Sequence, residues 1–366
     1  MENQNLHNYA VIMAGGIGER FWPLSRSTRP KQFIDILGTG KSLIRQTYER
    51  FQEFLPHENI FVITNEKFLS LVVEHIPNID LTRIICEPTR KNTAPCVAYA
   101  SWKIHAMDPK ACLVVAPSDH VILKEKEFGR IITSAMNAAS VKPWLFTLGI
   151  TPSRPDTGYG YIQFKQGKPW AEDENLRKVK TFTEKPNIEL AESFLKSGDF
   201  LWNSGIFIWS AQAIIDAFEK YQPEISFVFR EGEGKYNTPN EAAYISTAFS
   251  ACKSISIDYA IMEKADNVYV IASDFGWSDL GTWGSLFDLR QHDKYQNAVM
   301  GNNVMLYEAN NCIVNVPDEK LVVLQGLDDY IVAESDGALL VCRKSQEQEI
   351  RRYINDIRQK KGDTFV

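Results

Sequence analysis

Residues 9–33 read YAVIMAGGIGERFWPLSRSTRPKQF, and this stretch decides the fold. Its first part, residues 9–14, is an apolar run of strand length, and Gly15, Gly16 and Gly18 follow it. Glycines placed directly after a first strand let bare backbone amides approach an anion without side-chain interference. The pattern predicts a β-strand followed by a phosphate-binding loop.

Three cations, Arg20, Arg26 and Lys31, follow the glycines. A triphosphate reaction needs fixed positive charge, because negative charge develops on the phosphate oxygens. Taken singly, each cation is better explained as a solvated surface residue beside a turn. The loop lacks the third glycine of the dinucleotide motif G-x-G-x-x-G, which disfavours an oxidoreductase of the Rossmann type, and it does not have the P-loop pattern.

Outward from this loop, apolar strands alternate with helical segments, which favours βαβ units. We therefore predict an α/β fold with a Rossmann-like mixed, mostly parallel sheet, whose ligands bind at the carboxyl ends of the strands. Strands are predicted at residues 9–14, 59–64, 83–86, 111–116, 145–150, 160–164, 179–184 and 206–209, and helices at 43–54, 67–76, 94–106, 188–196, 211–221 and 241–250.

The last part of the chain has a different pattern. Polarity rises at residues 291–303, and short β-type runs then begin at Cys312, Leu321, Tyr330 and Leu339, a constant step of nine residues. This regularity predicts a small stacked or β-helical unit, although an antiparallel meander would have the same spacing. We predict a main domain at 1–292 and a small C-terminal β domain at 293–366, which ends in a helix near 345–360.

Composition limits the possible partners. The formal net charge is −6 without any block of basic residues, which argues against binding a nucleic acid. No apolar run approaches the ~18 residues of a membrane span, and the N-terminus does not resemble a secretion signal. The six cysteines are widely separated, which favours reduced thiols. We expect a cytoplasmic protein without a membrane partner.

The stretch GGIGERFWPLSRSTRPKQF resembles the signature of the sugar-nucleotide pyrophosphorylases, in the form carried by the mannose-1-phosphate guanylyltransferases. Lys91 departs from the common family pattern. The resemblance implies a nucleotidyltransferase domain followed by a small β-helix-like domain. Further segments resemble the family in the same order, namely EPTRKNTAP (87–95), APSDH (116–120), GYGYI (158–162), FTEKP (182–186), WNSGIF (202–207), SIDYAIMEK (256–264) and WSDLGTW (277–283).

The resemblance also implies a reaction, in which mannose 1-phosphate and GTP give GDP-mannose and pyrophosphate with Mg²⁺ as cofactor. The sugar phosphate attacks the α-phosphorus in line, and its oxygen is already anionic at neutral pH. No base is therefore needed to generate the nucleophile. This agrees with a sequence that has no obvious Ser-His-Asp set.

Site residues are assigned by the same resemblance. For Asp258, helix capping at the start of DYAIMEK explains the residue almost as well as a role in the site. The assignments are Arg20 and Lys31 for catalysis; Asp119 and Asp279 for the metal; Gly160, Glu184, Lys185 and Asn203 for the sugar phosphate; and Ala14, Gly15, Gly16, Gly18, Glu87, Asn92, Thr93, Pro95, Pro117 and Ser118 for the nucleotide.

Two alternatives remain open at this point. The same chemistry on another pair, such as glucose 1-phosphate with UTP or dTTP, would use the same residue types. A catalytically silent, nucleotide-sensing subunit would be expected to lack a phosphate cation or a metal carboxylate. We also expect a homodimer, since the β unit resembles a dimerisation surface. No isomerase activity is expected, because the sequence does not extend into the cupin-type isomerase domain that some family members carry.

Overall fold

The computed structural model describes residues 4–166 and 175–366, so residues 1–3 and 167–174 of the predicted main domain lie outside the described residues. The strands are β1 (Asn8–Met13), β2 (Ile60–Asn65), β3 (Ile84–Glu87), β4 (Cys112–Pro117), β5 (Val121–Ile122), β6 (Leu145–Ile150), β7 (Tyr161–Phe164), β8 (Leu176–Thr183), β9 (Phe200–Ser210), β10 (Val268–Ser273), β11 (Trp277–Ser278), β12 (Ala298–Met300), β13 (Val304–Tyr307), β14 (Ile313–Asn315), β15 (Val322–Gln325), β16 (Tyr330–Ser335) and β17 (Ala338–Arg343).

The α-helices alternate with these strands along the chain, and α10 is the last of them. Their bounds are α1 (Leu43–Gln52), α2 (Leu69–His75), α3 (Thr93–Met107), α4 (Glu125–Ala139), α5 (Ile188–Ser197), α6 (Ala211–Tyr221), α7 (Pro223–Arg230), α8 (Glu241–Ala251), α9 (Trp283–Leu289) and α10 (Ile350–Lys361). Within the described residues, none of these helices is long and apolar enough to cross a membrane.

Contacts divide the chain into two compact units that interleave in sequence. The first unit contains residues up to 15, 46–118 and 122–277, and the second contains 16–45, 119–121 and 278–366. The domain boundary predicted after residue 292 stays a prediction. The two units are defined by contacts and are discontinuous in sequence, so they do not test a boundary between domains that are continuous in sequence.

The first unit is built on a nine-stranded sheet in the order β3-β2-β1-β4-β9-β6-β10-β8-β7. β1 is parallel to β2 and β4, and β2 is parallel to β3. β9 runs antiparallel to β4 and β6, so the sheet is mixed. Because β1, β3 and β4 share one direction, Met13, Glu87 and Pro117 end their strands at the same edge of the sheet.

Helix α3 shows how the core of this unit is built. Its residues from Ala94 to Ile104 are buried almost without interruption. Trp102 packs against Phe218 of α6 and Phe229 of α7, with ring centroids 5.8 Å and 6.0 Å away. The helix therefore has neighbours on more than one side, which explains why its sequence is apolar almost all around.

Some elements of the first unit were not predicted. β9 begins at Phe200, well before the predicted start at residue 206, because its early residues pair with β6 and β7. β10 and α4 were missed altogether. α4 does carry a local signal, since Glu125 and Glu127 lie in its first turn and one stripe of the helix is buried.

In the second unit, the C-terminal strands stack in parallel. β12, β14 and β16 form a parallel ladder that β17 closes in the antiparallel sense, and β13 pairs with β15. Residue 313 lies beside 331, and 304 lies beside 322, so these coils take 18 residues each, whereas the first step, from 298 to 313, takes 15. The nine-residue step of the sequence is half a coil. The β-helical alternative is confirmed and the antiparallel meander is wrong.

The second unit has an apolar core that includes the loop after the glycines. Phe21 and Trp22 are buried in it together with Trp283 of α9 and with Ile350 and Ile354 of α10. The rings of Phe21 and Trp283 lie 5.4 Å apart. A second cluster, which includes Cys312, Val314 and Val332, fills the inside of the coils.

Candidate active site

In the first unit, Glu87 lies beside the start of the glycine loop. The side chain is 5% exposed, and a methyl group placed on Gly15 would lie 3.4 Å from its Oε2 atom. Within the described residues, its Oε1 atom has no hydrogen-bond partner. Burial raises the pKa of Glu87 to about 8, although Arg90 opposes the shift. A buried, unsatisfied carboxyl group of this kind is typical of a ligand-binding position.

The segment from Asn92 to Pro95 is anchored at the start of α3. The Oγ1 atom of Thr93 accepts a hydrogen bond from the Ile257 amide at 2.8 Å, and the Ala94 amide donates to Ile255 at 3.0 Å. Asn92 caps the helix with a positive φ of 68°, and Pro95 is buried. Thr93 and Pro95 therefore hold this predicted nucleotide segment in place.

The end of β4 is tied to the end of β1. The Ser118 amide donates to Met13 at 3.0 Å, and its carbonyl accepts from the Thr47 hydroxyl at 3.2 Å. The Ala14 amide donates to Ile63 at 2.8 Å. Ala14, Pro117 and Ser118 thus fix the edge of the sheet through backbone contacts.

The predicted sugar-phosphate residues come together at another part of the first unit. A methyl group on Gly160 would lie 2.5 Å from Oε2 of Glu184, so a larger residue there would displace this carboxylate. The Gly160 carbonyl accepts from the Asn203 amide at 2.8 Å. Lys185 forms an ion pair with Glu184 and is largely exposed, with a positive φ of 46°. All four predicted residues therefore belong to one cluster.

Asp258 joins this cluster, which the sequence had left open. The Nδ2 atom of Asn203 donates to its Oδ1 atom at 2.7 Å. Asp258 is the first residue of a short helix whose N-cap is Ile257. Burial, with a further contribution from the negative charge of Glu184, raises the pKa of Asp258 to about 6. The sequence signal was present in SIDYAIMEK, but a capping role explained it almost equally well.

In the second unit, Lys31 joins the two predicted metal ligands. Its side chain is 4% exposed in total, and its Nζ atom lies 2.8 Å from Oδ2 of Asp119. The same ammonium donates to the carbonyls of Asp279 and Leu280 at 2.9 Å and 2.8 Å. Its three N–H groups therefore have three acceptors. Burial alone would raise the pKa of Asp119, but Lys31, helped by His120, holds it below its ordinary value.

Gly18 fits closely against Lys31. It has a positive φ of 65°, and a methyl group there would lie 2.5 Å from Cβ of Lys31. Ser25 donates to the Gly18 carbonyl at 2.6 Å, and Gln32 donates to the Gly16 carbonyl at 2.9 Å. Ser25 and Gln32 support the loop, a role that was not assigned to them from the sequence, although both stand in the signature stretch.

Arg20 and Arg26 have different surroundings. Arg20 is half-buried, and within the described part of the chain its guanidinium has no hydrogen bond or ion pair. Arg26 donates to the carbonyl of Ser335 at 2.8 Å and to that of Asp336 at 3.1 Å. Arg26 is thus a structural residue, whereas Arg20 is available to an anion.

The arrangement combines a buried ammonium, two carboxylates and an available guanidinium in the second unit. The first unit supplies a buried carboxyl group at the sheet edge and a polar cluster around Glu184. For the residues that the structure describes, no group of three or more His, Cys, Asp or Glu side chains is suited to a metal. Asp119 and Asp279 would need ligand oxygens to complete a coordination shell.

Comparisons with known proteins agree with these features. A model of the nucleotidyl transferase family matches residues 9–296, and a model of the MannoseP isomerase/GMP-like beta-helix domain matches residues 301–357. The mannose-1-phosphate guanylyltransferase of Salmonella montevideo is 36% identical over 353 residues, which cover 95% of this chain and 73% of that protein. The enzyme of the same name from Escherichia coli K12 is 34% identical over 355 residues, 96% of this chain and 73% of that protein.

A solved structure extends the likeness to three dimensions. The structure described as mannose-1-phosphate geranyltransferase from Thermus thermophilus has a TM-score of 0.85 at 28% identity, covering 96% of this chain and 99% of that one. The predicted combination of a nucleotidyltransferase domain and a β-helix-like domain is confirmed. This chain belongs to the nucleotidyl transferase family and, within it, to the mannose-1-phosphate guanylyltransferases.

Proposed function

We propose that this protein transfers the guanylyl group of GTP to mannose 1-phosphate, giving GDP-mannose and pyrophosphate. The observation that carries the chemistry is the cluster of Lys31, Asp119 and Asp279, in which one buried cation joins the two predicted metal-binding loops. An oxygen of the sugar phosphate forms the new bond to the α-phosphorus, and the bond from that phosphorus to the leaving pyrophosphate breaks. The enzyme must align two anions and stabilise developing charge.

Glu87 supports guanine as the base. In its ionised form the Glu87 carboxyl group has two acceptor oxygens, and the N1–H and N2 amino groups of guanine are two adjacent donors, so bound guanine would favour ionisation and lower the pKa from about 8. Uracil and thymine offer a single donor between two carbonyl groups, so they match a carboxylate less well. Within the described residues the Oε1 atom of Glu87 has no hydrogen-bond partner, and such a base would supply one.

Glu184 and Lys185 support a hexose phosphate as the acceptor. Lys185 carries a largely exposed ammonium, which suits a phosphate group, while Glu184 accepts hydrogen bonds from sugar hydroxyl groups. Charge-assisted hydrogen bonds of this kind are directional. Selection between hexoses would follow from which hydroxyl groups reach Glu184 and Asn203.

We also propose Mg²⁺ as the cofactor, held by Asp119 and Asp279. The donor set fits this ion, because Mg²⁺ prefers oxygen ligands and is usually held by one or two carboxylates together with substrate phosphates. The lowered pKa of Asp119 keeps its carboxyl group ionised at neutral pH. When bound, the ion would neutralise charge on the phosphates of GTP. Arg20 would bind the triphosphate directly, and Lys31 would keep Asp119 ionised and oriented.

The direct test is pyrophosphate release with Mg²⁺ from mannose 1-phosphate or glucose 1-phosphate and each of the four nucleoside triphosphates. We expect release largely confined to GTP with mannose 1-phosphate. Faster release with another pair would overturn the substrate assignment. Absence of release with every pair, from folded protein that binds nucleotide, would favour a sensing subunit.

The metal assignment has its own test. Asp119→Asn and Asp279→Asn should each lower kcat by about 100-fold or more and weaken Mg²⁺ dependence, because they remove a charged ligand. Asp288→Asn is the matched control, since Asp288 is an exposed aspartate on α9 with no assigned role in the site. Full activity in excess EDTA would contradict the proposed cofactor.

We further propose a cytoplasmic homodimer. The outer faces of β13 and β15, which pair with each other, expose large apolar side chains, which supports an interface there. These residues are Met305, Tyr307 and Val323. The six cysteines form no disulfide, which is consistent with a reducing compartment.

A further inference from the structure

Residues 363–366 form a strap over part of the signature loop. The indole Nε1 atom of Trp22 donates to the carbonyl of Phe365 at 2.7 Å. The Ser27 hydroxyl donates to the main-chain oxygen of Val366 at 2.8 Å, and Arg26 donates to that of Thr364 at 3.4 Å. Three loop side chains therefore bind three consecutive residues of the strap.

Packing adds to these hydrogen bonds. The side chain of Val366 is 3% exposed and belongs to the same apolar cluster as Trp22, Trp283 and Ile354. The acceptors in the strap are all main-chain oxygens, so the contact depends on the path of the backbone. Arg26 also bonds to Ser335 and Asp336 at the end of β16, which fixes the loop from a second direction.

The loop residues that contact the strap lie, in the sequence, between the two predicted phosphate cations. Arg20 precedes Trp22 by two residues, and Lys31 follows Ser27 by four. Trp22, Arg26 and Ser27 offer no nucleophile or acid that the reaction needs, and their donors are already used. Their contribution to chemistry is therefore one of geometry. A displacement of about 1 Å in a charged group can reduce turnover by about 100-fold.

We propose that the strap of residues 363–366 positions the signature loop for catalysis through Trp22 and Ser27, which makes these two side chains positioning residues. This inference rests on the proposed guanylyl transfer. It predicts a defect in turnover, because the loop carries Arg20, which acts on the triphosphate, and Lys31, which orients Asp119. Binding of mannose 1-phosphate, assigned to Glu184 and Lys185 in the other compact unit, should change little.

The test uses the double variant Trp22→Phe/Ser27→Ala in the full chain, with Thr28→Ala as control. Thr28 is an exposed neighbour in the same loop. The strap's hydrogen bonds to this loop, among the described residues, come from Trp22, Arg26 and Ser27. We expect kcat of the double variant to fall about 10- to 100-fold, with KM for mannose 1-phosphate within about twofold of wild type. Removing residues 364–366 should lower kcat by a similar factor. Combining this deletion with the double variant should lower kcat little further, because both changes disrupt the same contact between the strap and the loop.

Trypsin cleavage after Arg26 gives a readout that does not depend on activity. Cleavage should be faster in the double variant than in wild type or Thr28→Ala, because the loop is released. Unchanged kcat together with faster cleavage would overturn the positioning role. If wild type is inactive with every substrate pair, the proposed function fails by itself. Faster cleavage of the double variant than of wild type would then still support the contact between the strap and the loop. Equal cleavage of the two proteins would overturn it.

Discussion

Among single residues, the two predicted phosphate cations differ in what already surrounds them. The ammonium of Lys31 is buried and has three acceptors, whereas the guanidinium of Arg20 is half-buried and has none within the described residues. Removing Lys31 would leave the Asp119 carboxylate without its cation, so it would affect folding and activity together. Arg20 is therefore the better probe of charge stabilisation.

We expect Arg20→Ala to lower kcat by about 100- to 1,000-fold without lowering the melting temperature, because its charge acts on the triphosphate and on no other described group. Steady-state kinetics and thermal unfolding would measure both effects. Arg29→Ala is the matched control, since Arg29 is exposed in the same loop. Equal activity of the two variants would contradict the role of Arg20.

Glu87 predicts a pH dependence of stability. Its pKa is about 8 in the folded protein and near 4.5 in the unfolded chain, so the unfolded state ionises first as pH rises. The free energy of unfolding should therefore fall between pH 4.5 and 8, by an amount on the order of a few kcal/mol. Glu87→Gln should remove this fall while leaving stability near pH 4 unchanged. Parallel pH curves for wild type and variant, from denaturant unfolding, would contradict the buried neutral carboxyl.

Among elements, the loop after β1 shows how much a signature stretch can predict. Its glycines and cations were assigned from the sequence, and the structure places Gly18 against Lys31 and Gly15 beside Glu87. The structural use of Arg26 could not be predicted, because its partners Ser335 and Asp336 lie some 310 residues away. Local spacing predicts local geometry, while distant partners depend on the packing of the whole unit.

Gly18→Ala should damage this loop in two ways. Its positive φ disfavours alanine by about 1–2 kcal/mol, and the new methyl group would overlap Lys31. We expect a lower melting temperature and a kcat reduced by about 100-fold. Gly40→Ala separates the two effects, because Gly40 also has a positive φ, of 79°, but has open space around it. An equal loss of stability in both variants would mean that the overlap of the new methyl group with Lys31 is relieved without any further loss of stability.

For the whole molecule, the parallel strands were predictable because both faces of each are apolar, and the motifs at their ends were predictable from the family signature. β10 was missed, although it pairs with both β6 and β8 and is therefore an interior strand of the sheet. The division into two interleaved units was also not predicted. Residues 119–121 belong with 278–366 only because of tertiary contacts, which a linear scan for linkers does not detect.

The proposed dimer is a prediction at this scale. Wild type should have twice the chain mass of 41.7 kDa by light scattering, and Met305→Glu/Val323→Glu should be monomeric, because each charge would be buried at the interface. Val141→Glu, at an exposed apolar position of the first unit, serves as control. A monomeric wild type would exclude the dimer.

The 18-residue coil also sets a rule for changes in chain length. Inserting 18 residues between two coils would lengthen the stack by one layer, about 4.8 Å, and leave every later strand on its own wall. Inserting nine would move each later strand to the opposite wall. Insertions between these coils should therefore contain a whole number of 18-residue coils. Each added coil would move α10 and the residues after it outward by one layer.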